Sequence, residues 1–218
     1  MRPCRGWRVT VPAFCAVLSA AGCGAAPAPR PAPTSAPASA VVSPTPSDPG
    51  AALRRPWTHP TVRPGARCPV TGRTQRPDPA LGPLFGAGPA RPAGLAPGAV
   101  LVYLAPDEHS SWTDRTWGGQ KVLWAVDPTA TGPVLVRGRR LDGPEPLAFE
   151  DPPLPELLLN TGSYEGQSGG WKDYPSYTRV RAPGCYAYQV DTAAGTWSVV
   201  FVARGPRVGA APGATSTG

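Results

Sequence analysis

The sequence predicts an all-β fold: a small antiparallel β-sandwich of immunoglobulin-like layout, preceded by a signal peptide and a disordered Pro/Ala-rich linker. Three observations predict it. Thirty-two prolines and 26 glycines in 218 residues, with 16% charged residues, interrupt the chain too often for long helices. Between these breakers lie runs of seven to eleven residues rich in valine, tyrosine and tryptophan, the composition of strands. All of these runs lie downstream of Cys68, whereas residues 24–60 hold ten prolines and nine alanines.

The first element is an export signal. Arg2, Arg5 and Arg8 form a positive start, and Val9–Ala21 is apolar and ends in small residues. As a helix this stretch covers about 20 Å, short of the roughly 30 Å hydrocarbon core of a bilayer. Ala20-Ala21-Gly22-Cys23 resembles the bacterial lipobox. That resemblance implies removal of residues 1–22 and acylation of Cys23 as the first residue of the mature chain, with diacylglycerol and fatty acid such as palmitate. The protein would then be lipid-anchored at the outer face of the cell membrane. The family pattern prefers leucine where this chain has Ala20, with Leu18 two places further back. Ordinary signal cleavage nearby, with Cys23 lost or left as a free thiol, is the other reading.

Residues 23–67 then read as a tether. A segment so rich in proline and alanine cannot bury enough apolar area to offset ordering, and proline favours an extended course. Its role would be to hold the folded body off the lipid surface.

The body is expected over 68–204, with a disordered tail over 205–218. Candidate strands are 99–105, 120–126, 132–142, 176–182, 185–191 and 196–203. The last two are joined by a hairpin in which Gly195 is expected to take a positive φ. In the final strand Trp197, Val199 and Phe201 share one face and Ser198, Val200 and Val202 the other, so both faces are largely apolar and the strand is expected to be central. Trp124 and Trp197, inside strands, are expected in the core. Residues 82–98, "GPLFGAGPARPAGLAPG", hold too many breakers for regular structure.

Cysteine arithmetic points to one bridge. Cys4 and Cys15 belong to the signal and Cys23 to the lipid, which leaves Cys68 and Cys185 as an even pair in an oxidising compartment. The competing reading, a nucleophilic Cys185, lacks a neighbouring base, since His59 and His109 are the only histidines and neither flanks it.

Three motifs in order carry a further resemblance: Cys-Pro-Val-Thr at 68–71, Gly-Arg-Arg-Leu-Asp at 138–142 and Gly-Cys-Tyr at 184–186. Together they resemble a family of uncharacterised bacterial exported proteins. The family usually carries tryptophan after Gly-Cys, where this chain has Tyr186. The resemblance implies an exported β-rich fold and supplies no catalytic residue and no cofactor.

Charge narrows the partners. The net charge of +7 arises outside the expected body: residues 68–203 hold eleven basic and thirteen acidic side chains, a net of −2. A nucleic-acid domain would place its positive charge on the folded surface, so no nucleic-acid partner is expected. Enzymatic chemistry has two thin footholds, Asp107-Glu108-His109 and the acids Glu145, Glu150, Asp151 and Glu156. Paired carboxylates could hydrolyse a cell-wall polymer, yet these acids lie among prolines, as in a solvated loop. No second histidine stands beside His109 to complete a metal site, and no metal is expected. A carrier for small ligands is disfavoured because short strands leave little room for a large cavity.

The aromatics Trp112, Trp117, Trp171, Tyr174 and Tyr177 sit in glycine- and serine-rich stretches. Either they cap the ends of the core, or they form an exposed platform for an envelope protein or glycan. Of the adjacent Arg139 and Arg140, one must face inward; Asp142, on the face of Arg140, is its expected partner. The function expected is therefore a non-catalytic binding or structural component of the cell envelope, with a small carboxylate-dependent hydrolase as the alternative.

Overall fold

The computed structural model describes residues 48–74, 79–105, 116–162, 167–168 and 170–208. Signal, Cys23 and the first half of the tether lie outside the described residues. Two sheets pack face to face. One has the order β1 (Arg73–Thr74), β2 (Leu84–Phe85), β3 (Ala90–Ala93), β5 (Gly118–Val126), β10 (Trp171–Val180) and β7 (Leu147–Phe149), with β9 (Gln167–Ser168) also paired to β10. The other has the order β4 (Val100–Val102), β12 (Gly195–Arg204), β11 (Gly184–Thr192), β6 (Val134–Arg140) and β8 (Glu156–Leu159). All six expected strands form, in an all-β sandwich. Pairing is antiparallel except between β4 and β12, which run parallel.

Side-chain alternation explains the core. Along β11, Tyr186, Tyr188 and Val190 point between the sheets, and on β12 Val199, Phe201 and Ala203 do the same. They meet Val122, Trp124 and Val126 of β5. Trp124 packs edge-on against Tyr188, ring centroids 5.1 Å apart, and Tyr188 stacks on Phe201 at 4.4 Å. The buried hydroxyls are satisfied: Tyr188 pairs with Thr178 Oγ1 at 2.8 Å and Tyr186 donates to the Ala182 carbonyl at 2.8 Å.

The other face of the five-stranded sheet is also buried, and this corrects the expected start of the body at Cys68. Residues 48–67 were expected in the tether; they are a strap across that face. Leu53, in the short 3₁₀ turn Ala51–Leu53, and Val62 are buried. Val62 joins Cys185, Ala187 and Val200 in an apolar cluster that Cys68 and Leu141 complete. Further along, side chains of the sheet bind the strap's backbone. Gln189 accepts from the Thr58 N–H at 2.8 Å and donates to the Pro56 carbonyl at 3.0 Å, and Arg137 donates to the Arg55 carbonyl at 2.5 Å. Arg54 closes ion pairs with Asp48 and Glu156. Proline-rich backbone with few N–H groups forms no ladder, so side chains supply the bonds instead.

Three further expectations are corrected. Residues 82–98 contain β2 and β3, because Leu84 and Phe85 are fully buried and Ala90–Ala93 pairs with β5; the breakers only keep these strands short. Within the proline-rich acidic stretch, Leu147–Phe149 and Glu156–Leu159 also form strands. The expected tail begins too early: Tyr103 donates to the Pro206 carbonyl, and Val208 is buried and bonded to Arg181. In the β11–β12 hairpin Gly195 is not at positive φ. It pairs with Thr192, leaving Ala193 and Ala194 as the turn, closed by Thr192 Oγ1 accepting the Ala194 N–H at 3.1 Å.

Candidate functional site

One end of the sandwich holds a cavity of about 470 Å³. Three turns wall it: Gly88–Pro89 before β3, Asp127–Thr131 between β5 and β6, and Thr192–Ala194 between β11 and β12. Strands add Arg91 from β3, Val134 from β6 and Trp197 from β12. The volume lies toward the lower end of the range of small-ligand sites, about 300–1,000 Å³. Strand ends of both sheets and the three turns beside them thus line one open pocket.

The polar groups of this cavity are held in place. Asp127 accepts from both the backbone N–H and the hydroxyl of Thr129, at 2.9 and 2.6 Å, and its own N–H donates to the Pro89 carbonyl at 2.7 Å. The Thr129 bonds, with a smaller contribution from the charge of Arg91, hold the Asp127 carboxyl below the usual range. Arg91 Nε donates to the Gly88 carbonyl at 2.9 Å, and its guanidinium lies 5.2 Å from the Trp171 ring centroid. Gly88 has φ +89°, and a Cβ there would lie 2.5 Å from the Trp197 ring; only glycine lets this turn rest on the indole. The strap braces one wall, since Arg55 donates to the Ala193 carbonyl and to Thr196 Oγ1, both at 3.4 Å.

Trp197 is thus not the core residue expected from its position in a strand. It is half-buried and lines the cavity, while Trp124 is fully buried. The other aromatics divide differently from an exposed platform. Trp117 is buried with the Arg181 guanidinium 4.3 Å from its centroid, and Tyr174 is buried and donates to the Asn160 carbonyl at 3.3 Å. Trp171 and Tyr177 are half-buried. None of these four is exposed. Trp112, with Asp107, Glu108 and His109, lies outside the described residues.

Three acids of the proline-rich stretch are paired with arginines. Glu145 pairs with Arg140 and with Arg207, Asp151 with Arg179 at 3.2 Å, and Glu156 with Arg54. Arg140 faces inward and binds Asp142 Oδ1 at 2.6 Å, the partner its register indicated, while Arg139 is exposed. Arg207 and the Glu145 N–H, with Arg140, hold the Glu145 carboxyl low, whereas burial pushes the Glu150 carboxyl up. Cys68 and Cys185 form a disulfide, their Cα atoms 5.5 Å apart. Beneath the strap, fully buried Asp191 pairs with Arg137 at 2.7 Å and accepts from Thr196 at 2.7 Å.

Reading by residue type did not single out Arg91, Asp127 or Thr192. One local signal was present: Asp127-Pro128-Thr129 has the form of a side-chain-capped turn. Nothing local joins it to Arg91 or Trp197, which the topology brings from distant strands.

No family model matches the chain, and no curated protein matches it. Among solved structures it is similar to a Bacillus anthracis protein, provisionally described as a lipoprotein, at 14% identity and a TM-score of 0.40. That match covers 64% of this chain and 88% of the other.

Proposed function

We propose that this chain is an exported protein, acylated at Cys23 and held at the outer face of the cell membrane, whose sandwich is a non-catalytic ligand-binding domain of the envelope. The end cavity carries the reading: an indole, a carboxylate and a guanidinium are fixed around a space of ligand size. The Cys68–Cys185 bridge supports export, since such bridges persist in oxidising compartments. Because the strap occupies residues 48–67, the spacer between lipid and body is 24–47. Replacing Cys23 with serine is expected to move the protein from the detergent phase to the aqueous phase in a partitioning assay; unchanged partitioning refutes the anchor.

A second reading, a carboxylate-dependent hydrolase, has one observation in its favour: Glu150, whose burial favours the protonated form a general acid needs. Its neighbour Asp151 is engaged by Arg179. Turnover of a cell-wall polymer that disappears in Glu150→Gln would support this reading over the binding domain.

A further inference from the structure

We propose that the end cavity is a saccharide site, taking a neutral sugar against the Trp197 indole with its hydroxyls between Asp127 and Arg91. This rests on the binding-domain reading and adds the ligand's class.

The argument starts from the charges. Arg91 and Asp127 both line the cavity, yet they close no ion pair within 4.0 Å, and each is anchored elsewhere. Arg91 spends Nε on the Gly88 carbonyl, and among the described residues its two Nη groups have no hydrogen-bond acceptor. Asp127 spends Oδ1 on Thr129, and among the described residues its Oδ2 accepts no hydrogen bond. The cavity is therefore lined both by a cation with unused donors and by a carboxylate with an unused acceptor. An anion would gain from Arg91 and lose to Asp127, and a cation would meet the reverse. A neutral polyol is not penalised by either, because each hydroxyl can donate to the carboxylate and accept from the guanidinium.

The remaining walls fit the same ligand. A sugar ring has an apolar C–H face, and Trp197, Val134 and Ala130 are the apolar side chains among the lining residues that could meet it. Thr131, exposed among the lining residues, adds a hydroxyl for further polar contact. Preorganisation counts here: Gly88 rests on the indole, Trp171 backs the guanidinium and Thr129 holds the carboxylate, so binding orders little that is not already ordered.

The test uses the full mature chain, titrated calorimetrically with N-acetylglucosamine, its β-1,4-linked dimer and maltose, and separately with the zwitterion alanyl-alanine. Expected is saturable binding of at least one saccharide, weakened at least tenfold by Asp127→Asn and by Arg91→Gln, with near-ultraviolet circular dichroism unchanged. Both are partly exposed rim positions, so the test does not depend on a Trp197 variant folding. Binding of no saccharide, or saccharide binding indifferent to both substitutions, overturns the proposal. Alanyl-alanine binding that is lost in both variants, without saccharide binding, overturns the sugar class and leaves the binding-domain reading standing. The anchoring reading is tested independently through Cys23.

Discussion

The bridge between Cys68 and Cys185 sets the clearest quantitative expectation. It closes a loop of 117 residues, and loop-closure entropy assigns that constraint about 4.9 kcal/mol at 25 °C. For a body of this size, with unfolding entropy of about 2.1 cal/mol/K per residue, the midpoint should fall by roughly 14 °C when the bridge is removed. The substitution should be to alanine at both positions, because Cys185 lies with Val62, Ala187 and Val200 and a serine hydroxyl would be stranded there. Urea and thermal unfolding of Cys68→Ala/Cys185→Ala against the oxidised wild type measure the effect, with 3–5 kcal/mol expected. If the constraint acts on the unfolded chain, the urea slope should also rise, since a chain freed of a long loop exposes more surface. Coincident transitions, in a wild type shown by mass spectrometry to carry no free thiol at these positions, would refute the reasoning.

Arg137→Ala should destabilise by about 3–5 kcal/mol, because it leaves the fully buried Asp191 without its cation; Arg137→Ala/Asp191→Ala should recover part of the loss in a double-mutant cycle. Glu150 sets a pH dependence: a carboxyl pushed upward favours folding below its unfolded value near 4.5, and that contribution is lost as pH rises through the folded value. Glu150→Gln should therefore be more stable than the wild type near neutral pH, with the advantage vanishing in acid; a constant offset across a melting series from pH 3 to 7 would contradict this. Gly88→Ala places a methyl on the Trp197 ring at a positive φ and should destabilise by about 1–3 kcal/mol while shifting tryptophan fluorescence, whereas the same change at Gly65, where φ is also positive but open space surrounds the new methyl, should leave that fluorescence unchanged.

How much of this was legible along the chain depends on the range of the interaction. Strands whose inward residues alternate, such as Tyr186, Tyr188 and Val190, declare themselves locally, and so does the Arg140–Asp142 pair, two residues apart on one face. The strap does not, because its own composition forms no regular element and its bonds come from Gln189 and Arg137, more than eighty residues away. A trace of it was nonetheless written into its partner. Cys185, Ala187 and Val200 lie on the face of the sheet opposite the core, and an apolar outer face requires a cover. The disulfide ties Cys68 to that same face, so the chain just upstream of Cys68 is the segment most able to reach it. The two-faced apolar pattern of the final strand and the bridge, taken together, therefore imply a docked N-terminal segment, although neither implies it alone. The cavity follows a different logic: Trp197 sits three residues from the turn Ala193–Ala194, near the start of its strand, and a large ring there must either lie open to solvent or be met by a loop that brings no side chain of its own. Gly88 is that loop.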